Sequence, residues 1–297
     1  MKRILIPAFI LAIAGAALYY STRHKQETRV GPEAVLNALA DTQRGISRVP
    51  AAMTRLSDEE EIRMGDSMAQ GYTTRYELNQ PESIALQDYV SKVGVIVAAH
   101  ARRKLEYKFH YIPDANLINA FALPGGHVFI GKGLILLMDS EDELANILGH
   151  EVEHVDNYHC VERFQLRTRL HDVPLSELLT LPMEFFQAGY TKDQELEADR
   201  DGTWLAVMAG YSPKGAVRMF EAYGHLERVY VEKAESPDQE LSQVAIRGIE
   251  GYFRSHPLPE DRANQIKQII AAKKWPDRTE KPLRVRPVAT DVAANNH

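Results

Sequence analysis

The 297-residue sequence predicts an α+β domain, mostly helical with a small sheet, behind an apolar N-terminal helix. Three observations predict it. Patterns of helical period begin near Ser57, Pro81 and Ser140. A block of alternating apolar residues lies between them, from Tyr107 to Ile130. The composition is ordinary for a globular protein, 44% hydrophobic and 26% charged, and the length suits one large domain or two small ones.

Charge and cysteine use narrow the field. A net charge of −6 with no concentrated basic stripe argues against a nucleic-acid partner. The single cysteine, Cys160, excludes both an intrachain disulfide and a cysteine-built zinc site. Any metal must be held by His, Asp and Glu.

The first segment, 1–22, differs in kind from the rest. Lys2 and Arg3 precede an apolar run from Ile4 to Tyr20. It is short for a bilayer span of ~20 residues and slightly long for a signal-peptide core. It reads as a cleaved signal or a retained membrane-spanning anchor, with a slight lean to the anchor. Basic residues flank both sides (Lys2, Arg3; Arg23, Lys25, Arg29), so they do not fix orientation. Residues 23–55 are a polar linker.

A folded domain is expected over 56–272. Ser57 and Glu60 fit a capping box, and Ile62, Met64 and Met68 form a stripe on the first helix. The second helix, from about Pro81 to His100, buries Ile84, Leu86, Tyr89, Val90, Val93 and Ile96. Tyr107–Ile112 alternates like a half-buried strand. Asn119–Leu123 and His127–Ile130 are two more strands, flanking a Pro124-Gly125-Gly126 turn. They form either an ordinary hairpin or a cleft-lining edge where a substrate backbone pairs with the protein's own.

The third helix carries the chemistry. Ser140 is its N-cap and Glu143 completes a capping box; Leu144, Ile147, Leu148 and Val155 make its core stripe. Beside that stripe lies His150-Glu151-Val152-Glu153-His154. Histidines four apart on a helix offer two imidazole nitrogens to one ion, with Glu151 projecting toward the same cavity. That is the layout of a zinc hydrolase, in which the carboxylate takes a proton from activated water.

A two-histidine site needs a third protein ligand, and a Glu from a later helix is one standard source. The charged stretch from Asp193 to Gly202 supplies it: Glu195 can bind the metal while Asp199, four residues on, accepts an N–H from a ligand histidine. Leu196, Thr203, Trp204 and Val207 give that helix its core side, and another helix starts at Ser212-Pro213. Between the two metal helices, the apolar 175–186 stretch reads as a lid, a membrane-facing patch or a plain core helix pair. His256 falls on a loop before a last helix starting near Pro259, and 273–297 is a flexible tail.

Taken together, Asn119–Gly126, Gly149-His150-Glu151-x-x-His154-Val155, Glu195-x-x-Ala198-Asp199 and His256-Pro257 with Arg262 resemble peptidase family M48 in its stand-alone exported form. The resemblance runs from about Glu59 to Lys267. It implies a zincin-like (gluzincin) metallopeptidase domain with one Zn²⁺ held by His150, His154 and Glu195. It implies Glu151 as general base, Asp199 behind a ligand histidine, and Asn119, Ala120, Phe121 and Ala122 as the substrate-pairing strand. It leaves His256 either a fourth ligand in a latent state or a stabiliser of the oxyanion. Glu153, Tyr158 and Thr191-Lys192 depart from residues common in relatives, but none is a ligand candidate. His159 is an extra ligand candidate, set aside because closer residues already fill the site.

The expected activity is a zinc metalloendopeptidase acting on misfolded or membrane-associated envelope polypeptides. The expected location is the inner membrane facing the periplasm, or soluble periplasm if the signal is cleaved. The rival expectation is a chaperone-like binder of unfolded envelope proteins with a latent zinc site.

Overall fold

The computed structural model describes residues 56–162, 190–222, 256 and 259–288. The apolar N-terminal run, the linker, the 175–186 stretch and residues 289–297 lie outside them. Among the described residues no helix is long and apolar enough to cross a membrane.

Helix α1 (Asp58–Arg75) opens on the Ser57–Glu60 capping box, followed by four acidic residues that suit the positive end of the helix dipole. Its buried face is Glu61, Met64, Gly65, Met68, Ala69 and Tyr72, with Ile62 only half-buried. The buried Glu61 has a specific task. Its Oε1 accepts the Gly125 N–H at 3.0 Å, and Arg103 Nη2 lies 2.6 Å from its Oε2. Gly125 sits at φ +76°, and a Cβ there would meet Ile62 Cα at 2.7 Å. Only glycine fits this turn beneath α1.

Helix α2 (Pro81–Ala98) starts with proline in its first turn and buries Leu86, Tyr89, Val90, Val93, Gly94 and Val97. Ile84 and Ile96 are 47% and 41% exposed, contrary to the expected stripe. The buried face is set by Gly94, which presses directly against the Phe109 ring, so the two isoleucines fall to its sides.

The sheet has strands β1 (Lys108–Ile112), β2 (Ala120–Leu123) and β3 (His127–Gly131), ordered β1-β3-β2. β1 runs parallel to β3; β2 runs antiparallel to it, joined by the 3₁₀ turn Pro124–Gly126. The outer edge of β1 is closed by α2: Gln87 Nε2 donates to Phe109 O at 2.7 Å, and Tyr111 N donates to Gln87 Oε1 at 2.8 Å. Among the described residues, β2 is therefore the other edge. The Gly131 N–H donates to Asn119 O at 2.9 Å, so by antiparallel alternation Ala120 and Ala122 turn their backbone groups away from β3. The short helix α3 (Lys132–Ile135) follows.

Helix α4 (Glu141–Asp156) is capped by Ser140, whose Oγ accepts the Glu143 N–H at 3.2 Å. All 16 of its residues are buried. The histidines thus lie on an enclosed central helix. Helix α5 (Lys192–Met208) starts on a Thr191–Gln194 capping box. It crosses α4 glycine to glycine: a Cβ on Gly202 would meet His150 N at 2.5 Å, and one on Gly149 would meet Gly202 O at 2.5 Å. Its buried face includes Glu195, Ala198, Asp199, Gly202, Leu205 and Ala206. Of the expected core side, Thr203 and Val207 are buried, but Trp204 is 40% exposed and Leu196 half-buried. Helix α6 (Pro259–Lys273) starts just beyond His256.

The principal core lies on one face of the sheet, where Leu144, Leu148 and Val152 meet Val128 and Ile130. A second apolar cluster, around Tyr72, Phe121 and Phe129, lies on the α1 face. Residues 274–288 are no loose tail. The Lys281 N–H donates to Asp142 Oδ2 at 2.5 Å, Glu141 N–H donates to Lys281 O at 2.7 Å, Ser140 bridges Pro282, and Leu283 is buried. The first turn of α4 has unpaired N–H groups and buried carboxylates, and this segment partners both.

Candidate metal centre

The two glycines bring α5 close enough for its carboxylates to meet the α4 imidazoles. His150, His154, Glu195 and His256 each offer one atom to a buried group, all within 4.8 Å of one another. Nε2 of His150 and Nε2 of His154 lie 3.0 Å apart. Glu195 lies 3.3 Å from His154 Nε2 through Oε1 and 3.6 Å from His150 Nε2 through Oε2. His256 Nδ1 is 3.0 Å from Glu195 and 3.3 Å from His150 Nε2. Its Nε2 points the other way, 3.6 Å from Glu151 Oε1.

Behind these groups stand others that orient them. Asp199 Oδ1 is 2.9 Å from His150 Nδ1, which puts the proton on Nδ1 and leaves a lone pair at Nε2. Arg262 grips Asp199 through Nε and Nη2 at 2.6 and 2.7 Å and reaches Glu195 Oε2 with Nη1 at 3.0 Å. Tyr190 stacks on the His154 ring, centroids 3.6 Å apart. Its hydroxyl lies 3.3 Å from Cys160 Sγ, which in turn donates to Ala122 O at 3.6 Å. One line of contacts thus joins the β2 edge to His154. Asn119, Ala120, Phe121 and Ala122 are all buried there.

The electrostatics follow from burial and partners. Burial pushes the Glu195 carboxyl up, but His256 and Arg262 outweigh it and hold the group well below the carboxylate range. The same contest, won by Arg262 and His150, lowers Asp199. Burial lowers His154 well below the imidazole range. Glu151 is pushed up by burial, and its Oε2 has no hydrogen-bond partner among the described residues.

A divalent cation fits this donor set. Imidazole lone pairs and an ionised carboxylate converge in a buried space; Arg262 reaches Glu195 Oε2, but the remaining lone pairs still crowd one another, a grouping that a shared ion relieves. Arg262 appeared in the sequence only as part of a motif, with no role. Tyr190 had no signal at all. His159, weighed as a ligand, sits instead behind His154, Nδ1 to Nδ1 at 3.1 Å.

A histidine pair on one buried helix, joined by a carboxylate from a later one, is a donor set of the kind that holds a catalytic metal ion in metallopeptidases. The comparisons with known proteins agree. The model of Peptidase family M48 matches residues 84–270. The chain is 28% identical over 249 residues to the beta-barrel assembly-enhancing protease of Yersinia pestis, covering 73% of this chain and 46% of that protein. It is 26% identical over 251 residues to the protein of that name in Escherichia coli K12, covering 74% and 47%. It is 27% identical over 203 residues to the mitochondrial metalloendopeptidase OMA1 of Schizosaccharomyces pombe, covering 63% and 58%. The chain belongs to peptidase family M48. It spans about half the length of the curated assembly-enhancing proteases it matches.

Proposed function

We propose that this chain is an exported zinc endopeptidase that cleaves misfolded or membrane-associated envelope polypeptides. The observation that carries the reading is the convergence of His150, His154, Glu195 and His256 within 4.8 Å, with Glu151 beside them. The envelope assignment draws on the relatives' name, beta-barrel assembly-enhancing protease, and on the apolar N-terminal run, read as a signal or anchor ahead of a peptidase domain over 56–272.

His150, His154 and Glu195 are the proposed ligands. A Zn²⁺ ion held there supplies a Lewis acid that polarises the scissile carbonyl and acidifies the attacking water. Glu151 accepts the proton of that water as it attacks, then returns it to the leaving amine. Burial suits it to the task, since a carboxyl raised above its ordinary range takes the water's proton more readily. Asp199, fixed by Arg262, holds the His150 ring in place. Ala120 and Ala122 turn backbone groups away from β3; with the Ala122 carbonyl taken by Cys160, the Ala120 groups and the Ala122 N–H are those an extended substrate strand can pair with, without regard to its side chains. Such pairing fits a protease of unfolded chains.

A second reading draws on His256. Its Nδ1 lies among the donors, so it can close the set as a fourth ligand, as in a latent enzyme or a chaperone-like binder. One variant separates the readings. Glu151→Gln keeps every proposed ligand, so it should bind zinc like the wild type while casein hydrolysis falls about 10²–10⁴-fold. Unchanged hydrolysis overturns the peptidase mechanism. Wild-type chain that binds zinc but never cleaves denatured casein favours the latent reading.

A further inference from the structure

Every proposed ligand nitrogen needs something to hold its ring and fix its tautomer. His150 has Asp199, but no carboxylate of the described residues reaches the back of His154. What lies there is another imidazole. His159 is fully buried, and its Nδ1 is 3.1 Å from His154 Nδ1. Its Nε2 is 3.4 Å from Glu197 Oε2, and Glu197 Oε1 faces Arg200 at 3.8 Å. Glu197 stands on α5 between the two acids of the site, Glu195 and Asp199, but on another face.

We propose that His159 and Glu197 are positioning residues that act on the metal through His154. The proton bookkeeping permits one arrangement. His154 Nε2 faces His150 Nε2 at 3.0 Å and Glu195 at 3.3 Å, so it must carry the free lone pair to act as a ligand. Its proton then sits on Nδ1 and donates to His159 Nδ1. That leaves the His159 proton on Nε2, which faces Glu197 Oε2 at 3.4 Å without a formed hydrogen bond. The relay does at one remove what a carboxylate does for His150. Tyr190, stacked on the His154 ring, blocks tilt in the other direction.

His159 lies five residues beyond His154, just past the helical motif, which explains why spacing alone suggests it as a ligand. Its distance from the donor set is set by the turn at Tyr158, whose φ of +63° ends the helix and folds His159 back beneath His154.

The proposal rests on His154 being a zinc ligand, so the test reads zinc affinity directly. Full-length wild type, His159→Leu, His159→Asn and Glu197→Ala are compared by competition for Zn²⁺ against a chromophoric chelator. The thermal midpoints of the metal-free proteins are measured alongside. His159→Leu, which cannot accept the His154 proton, should weaken zinc about 10–100-fold, the usual effect of losing such a partner. His159→Asn keeps an acceptor near the Nδ1 position and should stay within a few-fold of wild type. Glu197→Ala should fall between them, with an unchanged metal-free midpoint. His159→Leu binding like wild type overturns the proposal. So does His159→Asn binding as weakly as His159→Leu, since that makes the residue a space-filler. Wild type that takes up no zinc defeats the reading of the site itself, a different failure from equal affinities across the series.

Discussion

An imidazole pair buried on α4 and a half-buried one on the sheet do different things. On α4, His150 and His154 approach to 3.0 Å, with Asp199 2.9 Å behind His150. On β1 and β3, His110 and His127 approach to 2.9 Å, with Asp66 2.9 Å behind His127. Seen as pairs they are almost the same. The difference is what faces the gap. Glu195 and His256 crowd the first pair with more acceptors, so lone pairs outnumber protons. At the second, one N–H meets one lone pair and the account closes; the Phe129 ring stacks 4.4 Å from His110, and Lys108 neutralises Asp66 at 2.8 Å. Two histidines and an aspartate do not make a metal site. What marks the α4 cluster as the candidate metal site is its excess of acceptors.

The largest effect that tests this comparison comes from the carboxylate itself. Glu195→Gln should lower zinc affinity by more than about a hundredfold, beyond the loss expected for an outer partner. Asp66→Asn and His127→Asn should leave it unchanged. Chelator competition measures all three. An equal loss in Asp66→Asn would erase the distinction between the pairs.

The next effect concerns what holds the crowd together. The metal cluster depends on two helices touching at Gly149 and Gly202, whereas the His110–His127 pair depends on neighbouring strands of one sheet. A methyl at Gly202 would meet His150 N at 2.5 Å. Gly202→Ala should therefore cost about 1–3 kcal/mol in urea unfolding and weaken zinc, because Glu195 and Asp199 retreat with α5. Gly71, on α1, has nothing within 4 Å of an added Cβ. Gly71→Ala should instead stabilise by about 0.5–1 kcal/mol with zinc binding untouched. Equal behaviour of the two variants would mean that the helix contact does not set the site.

The same contrast explains what could be read from the sequence. The α4 pair was legible because helical period converts a spacing of four into one face, and Ser140 marked where the helix begins. Glu195 and Asp199 were legible by the same rule on α5. Arg262 was not, because its grip on Asp199 spans 63 positions and depends on where α6 lands. Tyr190 and the Cys160 thiol were hidden for the same reason. The polar run 274–288 has no period, so it reads as a tail, yet its backbone partners the buried acids of α4. Hydrogen bonds made by backbone leave no signature in side-chain pattern. Ile84 and Ile96 misled in the opposite way: both are apolar, and their place was decided by Gly94 turning α2 onto Phe109.

The smallest effect belongs to the second pair, and its sign is fixed by burial. His110 is held down to about 4, by burial first and then by the neighbouring His127, which burial also lowers. Asp66 pulls the other way on His127, and Lys108 opposes protonation of both rings. The unfolded chain binds protons on these rings near pH 6.5, whereas the folded chain resists them until about pH 4. The pair's contribution is therefore complete above about pH 6.5 and is lost as pH falls toward 4. His110→Gln removes the group that resists. Between pH 7 and 4 the wild type should lose on the order of 1–3 kcal/mol more unfolding free energy than the variant. Parallel urea midpoints across that range would show that the strand pair is not held neutral by its surroundings. The contrast with α4 would then have to rest on Glu195 without help from burial.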